Sequence, residues 1–189
     1  MSLVSLLSYI LESLSLVLPI FFSGIVLIWL LNNNYLSWLY LPIDNGIKLR
    51  GKALFGSNKT WLGAAIYVLG TISVCILLSK LVWNYSNVVH PIFRSNPIKL
   101  GLVVSLAYVL GELTNSFVKR RLNILPGHVS GKKIQKIIDN VDGIVFVAAA
   151  VIVLYGLTAN YLVIAGIIGI ILHKLTDVYM VHLGIKQQQ

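Results

Sequence analysis

Residues 143–173 have the sequence GIVFVAAAVIVLYGLTANYLVIAGIIGIILH and contain no Asp, Glu, Lys or Arg. A helix needs about 20 mainly apolar residues to cross the hydrocarbon core of a bilayer, so this stretch is too long for one span. The segment Gly156-Leu157-Thr158-Ala159-Asn160 divides it, because Gly and Asn favour turns. We predict two spanning helices, over residues 142–155 and 161–181, of which the first is short.

The whole chain shares this apolar character. Of its 189 residues, 57% are hydrophobic and 11% are charged, and the mean hydropathy is +0.85. Soluble domains carry about 25% charged residues, and disordered chains are polar and poor in aliphatic side chains. The composition therefore excludes both classes and predicts an integral membrane protein.

Three further apolar segments precede this stretch, over residues 14–31, 61–81 and 98–118. The first of them follows Glu12 and ends at Asn32-Asn33-Asn34. Together the segments predict an all-α, polytopic membrane protein with five transmembrane helices, folded as a single domain over residues 1–189.

Basic residues collect in two predicted loops, over about residues 32–60 and 119–141, and Lys and Arg are enriched on the cytoplasmic side of membranes. Both loops are therefore predicted to be cytoplasmic. The protein is expected to lie in the cell (inner) membrane, with its N-terminus outside and its C-terminus, near Lys186, on the cytoplasmic side. We interpret the basic residues first as topology signals and contacts with anionic lipids, and second as ligands for a phosphorylated substrate. The formal net charge of +9 therefore does not predict a nucleic-acid partner. The basic residues of the two loops are Lys48, Arg50, Lys52, Lys59, Lys119, Arg120, Arg121, Lys132, Lys133 and Lys136.

The first basic loop ends with Gly56-Ser57-Asn58-Lys59-Thr60-Trp61. Glycine beside Lys and Thr lets backbone N–H groups approach phosphate oxygens, to which lysine adds a positive charge. A Walker A loop is excluded, because Ser57-Asn58 separate the glycine from Lys59 and a membrane helix follows. The alternative is that Lys59 and Trp61 are interfacial anchors.

Three polar residues share one face at the inner end of the third span. Glu112, Ser116 and Lys119 are spaced at i, i+4 and i+7. An acidic side chain within a span is costly and usually functional, although Glu112 could also serve only to bond a neighbouring helix. The run Lys119-Arg120-Arg121 at the membrane boundary could equally satisfy the topology rule alone.

Asp139 and Asp142 lie directly before the fourth predicted span. At i and i+3 they face the same side of a helix, and Mg²⁺ usually takes one or two carboxylates together with phosphates and water. The alternative is that Asp139 caps the helix while Asp142 lies in its first turn. Capping accounts for one aspartate but less well for both, so we predict a Mg²⁺ site.

These segments together resemble the CDP-archaeol synthase family, the short relatives of the phosphatidate cytidylyltransferases. Pro42-Ile43-Asp44, Gly51 and residues 56–61 resemble the first conserved loop of that family. The signature shared with the larger enzymes resembles Gly111-Glu112, residues 116–121, Pro126-Gly127-His128 and residues 139–142. The resemblance extends from about Pro42 to the C-terminus. The family pattern has Gly-Asp at Gly111-Glu112, Arg at Leu62, and Gln or Arg at Asn140.

The resemblance implies an enzyme that joins CTP to a lipid phosphate and releases pyrophosphate, in phospholipid biosynthesis. Its expected catalytic residues are Lys119, Arg120, Ser116, Asp139 and Asp142. Its expected substrate-binding residues are Asn58, Lys59, Thr60, Arg121 and Asp44, and its expected Mg²⁺ ligands are Asp139, Asp142 and Glu112. The implied partners are CTP, a lipid phosphate and membrane lipids, while the oligomeric state, a homodimer included, stays open.

Other functions are compatible with parts of the sequence. A small transporter would use the charges Glu112, Lys174 and Asp177, although Lys174 and Asp177 could equally form a structural ion pair. The departures from the family pattern at Glu112 and Leu62 suggest an inactive membrane scaffold. A CTP-dependent lipid kinase is the nearest enzymatic alternative, and it differs because it leaves no cytidine on the lipid.

Overall fold

Inside a bilayer the backbone must satisfy its own hydrogen bonds, so apolar segments of this length form helices. The computed structural model describes residues 3–127 and 133–183. Five of the helices in this part of the chain are long and apolar enough to cross a membrane, which confirms the predicted all-α, five-span fold. They are α1 (Leu3–Asn32), α2 (Trp61–Leu81), α3 (Pro97–Arg121), α4 (Lys133–Tyr155) and α5 (Ala159–His182).

Three of the predictions concern residues that lie outside this description. His128, Lys132 and Lys186 are among the residues not described, and so are the side chains of Lys133 and Lys136 within α4.

The helix ends follow local capping rules. Thr60 caps α2, and its Oγ1 accepts a hydrogen bond from Gly63 N at 3.3 Å. Asn96 caps α3, and its Oδ1 accepts from the backbone N–H groups of Ile98 and Lys99, at 3.1 and 3.0 Å. At the other end of α3, the cationic residues 119–121 lie in the last turn, where they interact favourably with the helix dipole.

Helices α1 and α4 extend well beyond their predicted spans. Helix α1 begins at Leu3 and includes Glu12, whose Oε2 accepts a hydrogen bond from Tyr161 Oη at 2.9 Å. Helix α4 begins at Lys133 rather than at residue 142, so Asp139 lies in a helix instead of the predicted loop 119–141. A charge-free run marks the apolar part of a span, whereas the helix itself continues through partnered charges at the boundary.

The helices pack as a closed set of neighbours. Helix α1 lies between α2 and α5, α2 packs against α3, α3 against α4, and α4 against α5. An apolar core fills the end of the bundle near residues 82–96, and Cys75, Val82, Phe93, Leu100 and Val151 are buried in it. The other end, where residues 42–60 and the ends of α3 and α4 meet, is polar.

Glycine brings α3 and α4 into close contact near that polar end. A Cβ atom added to Gly111 of α3 would lie 2.6 Å from the carbonyl oxygen of Asp142 and 2.9 Å from Gly143 Cα. Small residues let helix backbones approach closely in membranes, where packing and polar contacts drive association. Gly111 therefore sets the separation between α3 and the segment of α4 that carries Asp142.

Replacement of Gly111 by alanine should separate the two helices. We expect Gly111→Ala to lower the free energy of unfolding by about 1–3 kcal/mol, because the neighbouring atoms are backbone and can only move with α4. The matched control is Gly166→Ala in α5, where the nearest atom to an added Cβ is 3.9 Å away. Thermal unfolding in detergent measures both, and a Gly111→Ala protein as stable as Gly166→Ala would contradict this account of the α3–α4 contact.

Candidate active site

Residues 42–60, which we call the 42–60 loop, form a closed structure between α1 and α2. Its base is closed by the bridge between Pro42 and Thr60, with Ile43 N donating to Lys59 O at 2.8 Å. Its outer part is a short hairpin in which β1 (Lys48–Leu49) pairs antiparallel with β2 (Lys52–Ala53). Arg50 and Gly51 form the turn with φ values of 51° and 77°, as two-residue hairpin turns of this kind require.

Asp44 holds the inside of the 42–60 loop. Its side chain is buried, and its carboxylate accepts hydrogen bonds from the N–H groups of Gly46 (3.0 Å), Phe55 (2.8 Å) and Gly56 (3.1 Å). Burial raises the pKa of Asp44, but these backbone donors outweigh burial, so its pKa lies below the ordinary value. Asp44, predicted to bind substrate, is thus engaged with the backbone of its own loop.

Arg120 and Arg121 attach the same loop to the end of α3. Arg120 Nε donates to Phe55 O at 2.9 Å, and another of its nitrogens donates to Ile124 O. Arg121 donates to the carbonyl oxygens of Leu49, Lys52 and Ala53. Both arginines, predicted to contact substrate, therefore use donors to hold backbone carbonyls.

Lys59 and Glu112 form an ion pair between the 42–60 loop and α3. Each side chain is about one-fifth exposed, so the pair lies at the edge of the protein interior. This contact explains how an acidic side chain is tolerated within α3, because an opposite charge and its hydrogen bond offset the loss of water. It also brings Lys59 of the loop next to the acidic groups of the bundle.

Asp139 and Asp142 lie side by side on the face of α4 that meets α3. Asn115 Nδ2 donates to Asp139 Oδ1 at 2.8 Å and to Asp142 Oδ2 at 2.6 Å. Lys119 Nζ pairs with Asp139 Oδ2 at 3.0 Å. The capping interpretation does not fit, because α4 begins two turns before Asp139 at Lys133. The two carboxylates therefore face one site, as the i, i+3 spacing predicts.

The paired carboxylates suit a hard divalent cation. Their oxygens converge on one donor group, Asn115 Nδ2, so positive charge is favoured between them. Mg²⁺ takes one or two carboxylates and completes its shell with water and substrate phosphates. Glu112 is paired with Lys59 instead, and among residues 3–127 and 133–183 no three His, Cys, Asp or Glu side chains are grouped to hold one metal. The structure thus brings Asp139 and Asp142 together at one donor, while Glu112 lines the same cavity and is paired with Lys59.

A polar cavity of 460 Å³ lies above these groups, between the 42–60 loop and helices α1, α2, α3, α4 and α5. An apolar cavity of 130 Å³ adjoins it within the bundle, and both cavities are lined by Gly24, Tyr67, His173 and Thr176. Among the described residues predicted for the site, Asp44 and Arg121 do not line the polar cavity. Those that do line it are Asn58, Lys59, Thr60, Glu112, Ser116, Lys119, Arg120, Asp139 and Asp142.

Asn115 and Gln135 contact the carboxylate pair and are absent from the sequence-based prediction. Asn115 is three residues after Glu112 and four before Lys119, so helical periodicity on α3 could have identified it. Gln135 is four residues before Asp139 and shares its face, but only if α4 begins well before the apolar run. His173 and Thr176 come from α5, and no spacing in the sequence connects that helix with the site.

Comparison with known proteins shows the family of the chain. The family model described as CarS-like CDP-archaeol synthase matches residues 6–189. The chain belongs to this family. The CDP-archaeol synthase of Pyrobaculum arsenaticum is 31% identical over 157 residues, covering 81% of this chain and 84% of the relative. That of Halorubrum lacusprofundi is 28% identical over 153 residues, covering 78% and 82%.

A solved structure of an intramembrane enzyme for archaeal membrane lipids biosynthesis has the same fold as this chain. The two structures have a TM-score of 0.56 at 21% sequence identity, and the match covers 81% of this chain and 92% of the other.

Removal of the Asp44 charge should loosen the 42–60 loop. In Asp44→Asn an amide replaces one acceptor oxygen, so we expect hydrogen exchange at the Phe55 and Gly56 amides to accelerate about tenfold or more. The folded pKa is lowered, so in the unchanged protein this protection is present at neutral pH. It is lost as the pH falls from about 4 through the folded pKa. Asp44→Asn should lack that acid-dependent step.

The control for this exchange experiment is Glu12→Gln, which removes a carboxylate at the opposite end of the bundle. It should leave exchange at Phe55 and Gly56 unchanged. Equal protection of these amides in Asp44→Asn and in the unchanged protein would show that Asp44 does not hold the loop.

Proposed function

We propose that the polar cavity is the active site of a CTP-dependent cytidylyltransferase that converts a lipid phosphate to a CDP-activated lipid in phospholipid biosynthesis. Membership of the CDP-archaeol synthase family makes the chain a nucleotidyltransferase of this class. One observation carries the assignment of the site. The paired carboxylates of Asp139 and Asp142, two lysines and a buried arginine line one cavity, and an apolar cavity adjoins it.

The reaction joins two anions. An oxygen of the lipid phosphate attacks the α-phosphorus of CTP, a new P–O bond forms, and the bond to the β-phosphate breaks to release pyrophosphate. A phosphate dianion is already nucleophilic at neutral pH, so the site needs no strong base. Catalysis then depends on alignment of the reactants and on stabilisation of negative charge.

Asp139 and Asp142 are the residues that would hold the divalent cation, which we propose to be Mg²⁺. When bound, Mg²⁺ neutralises charge on phosphate oxygens and helps to orient them. Lys119 lies against Asp139, so its ammonium group is placed to contact a phosphate next to the carboxylate pair. Ser116, buried on the same helix face, offers a hydroxyl donor to the same region.

The 42–60 loop supplies the opposite wall of the site. Lys59 is held near the bundle by Glu112, and it would bind the triphosphate. Thr60 Oγ1 accepts a hydrogen bond from Gly63 N, so its hydroxyl hydrogen stays available for an oxygen in the cavity. Asn58 is exposed at the cavity and adds a donor for the nucleotide.

Arg120, Arg121 and Asp44 act on the substrates mainly through the loop. Arg120 lines the cavity while it bonds Phe55 O, so it couples a phosphate contact to the loop position. Arg121 and Asp44 hold backbone groups of the loop, and we assign them a positioning role.

The lipid substrate would place its phosphate in the polar cavity and part of its apolar portion in the adjoining apolar cavity. The relatives are CDP-archaeol synthases, so we propose an archaeol-type lipid phosphate as the acceptor. The loops that carry most of the Lys and Arg residues border the site, and such loops are typically cytoplasmic. We therefore propose that the site faces the cytoplasm at the cell (inner) membrane, where CTP is available.

Loss of one carboxylate should abolish the transfer. Purified protein is incubated with CTP labelled in the cytosine ring, Mg²⁺ and an archaeol-type or diacyl lipid phosphate. We expect Asp142→Asn to lower the formation of labelled lipid by about a hundredfold or more, because the cation loses a ligand that stabilises the transition state. Glu12→Gln, which removes a carboxylate far from the cavity, should retain full activity.

The label in the cytosine ring distinguishes the proposed transferase from a lipid kinase, a transporter and an inactive scaffold. A lipid kinase would transfer only the terminal phosphate of CTP, and a transporter or an inactive scaffold would leave the lipid unlabelled. Full activity in Asp142→Asn would contradict the role proposed for this carboxylate, and absence of ring label from the lipid in the unchanged protein would contradict the proposed reaction.

A further inference from the structure

Two buried amides connect the carboxylate pair to the rest of the bundle. Asn115 of α3 is 7% exposed, and Gln135 of α4 is 3% exposed. Gln135 Nε2 donates to Asn115 Oδ1 at 2.7 Å and to Asp139 Oδ1 at 3.0 Å. Asn115 Nδ2 in turn donates to both aspartates. The four side chains form one continuous network across the α3–α4 contact.

The network permits one orientation of the Asn115 amide. A primary amide has two N–H donors and one carbonyl acceptor. Both donors of Asn115 are used by carboxylates, and its oxygen accepts from Gln135. A rotated amide would place its oxygen against two carboxylates and its nitrogen against the Gln135 donor. Gln135 therefore fixes which atoms Asn115 presents to the aspartates.

A neutral donor between two carboxylates has a specific electrostatic consequence. Like charges brought close in a region of low dielectric repel strongly. The Asn115 N–H groups offset part of that repulsion through hydrogen bonds to ionised acceptors, which are stronger than neutral ones. Because the amide carries no charge, it offsets this repulsion without neutralising either carboxylate. Of the two aspartates, Lys119 pairs with Asp139, on Oδ2 rather than on the Oδ1 that Asn115 contacts.

We propose that Asn115, oriented by Gln135, is a positioning residue that holds Asp139 and Asp142 as a pair prepared to bind one divalent cation. The proposal deepens the function proposed for this cavity and rests on it. Residues that orient metal ligands typically change metal affinity by about 10- to 100-fold when they are replaced. Asn115 thus acts on the cation through the two carboxylates and not as a ligand itself.

Cation binding without nucleotide tests the proposal. The full chain in lipid nanodiscs is titrated with Mn²⁺, and free Mn²⁺ is measured by its electron paramagnetic resonance signal. Asn115→Leu has nearly the same size but no donors, so we expect it to bind Mn²⁺ about 10- to 100-fold more weakly. The matched control is Thr114→Val, since Thr114 is exposed and its hydroxyl donates to the Leu110 carbonyl of its own helix. It should bind as the unchanged protein does.

A second readout separates positioning from a general loss of structure. In Asn115→Leu the Mg²⁺ concentration for half-maximal product formation should rise about 10- to 100-fold, and the rate should recover largely at saturating Mg²⁺. A merely structural defect would lower the rate at every Mg²⁺ concentration. Gln135→Met is the second variant, used if Asn115→Leu does not fold, and it should bind Mn²⁺ several-fold more weakly.

Unchanged Mn²⁺ affinity in folded Asn115→Leu, or in Gln135→Met if that is the folded variant, would overturn the proposal. An equal loss in Thr114→Val, or no Mn²⁺ binding by the unchanged protein, would also overturn it. Failure of the proposed function gives a different result. The unchanged protein would still bind Mn²⁺, and Asn115→Leu would bind it more weakly. The unchanged protein would, however, transfer no cytidine to a lipid.

Discussion

The structure depends on how it accommodates charged side chains at the boundary of the bilayer. Ionised carboxylates within spanning helices are costly, so each needs donors that replace water. Glu112 meets Lys59, Asp139 meets Lys119, Asn115 and Gln135, and Asp142 meets Asn115 and its neighbouring backbone N–H. These contacts come from the 42–60 loop, α3 and α4 together. Glu112, Asp139 and Asp142 therefore depend on the contact among these three segments, and that contact borders the cavity.

Two features fix the relative positions of the 42–60 loop, α3 and α4. Gly111 allows α3 to approach the backbone of Asp142, which sets how far Asn115 must reach. The 42–60 loop is fixed from inside by Asp44 and from outside by Arg120 and Arg121. The 42–60 loop, which carries Lys59, is therefore held at a defined distance from the carboxylates of Asp139 and Asp142. Under the proposed function, Asp44 and Arg121 would contribute by holding the geometry of the site, which is the main requirement when two phosphates react.

The sequence predicts the number of helices well, because hydrophobic length is decided locally. It places the helix ends less well, since Glu12 and Asp139 have partners that only the folded structure supplies. Helical spacing correctly places Glu112, Ser116 and Lys119 on one cavity, and Asp139 beside Asp142. It cannot show that Asp44 and Arg121 are used by backbone groups, because those contacts depend on how the loop folds against α3. The contribution of α5 through His173 and Thr176 is hidden for the same reason.

The central claim is that Asp139 and Asp142 together hold the cation beneath the lysines of the cavity. The most direct measurement is a crystal structure with Mn²⁺ and a CTP analogue that cannot be cleaved, in which anomalous scattering locates the ion. The account predicts an anomalous peak within about 2.5 Å of an oxygen from each aspartate, with the triphosphate between that ion and Lys119 or Lys59. An ion bound at Glu112 without the two aspartates, or a nucleotide bound elsewhere in the bundle, would contradict it.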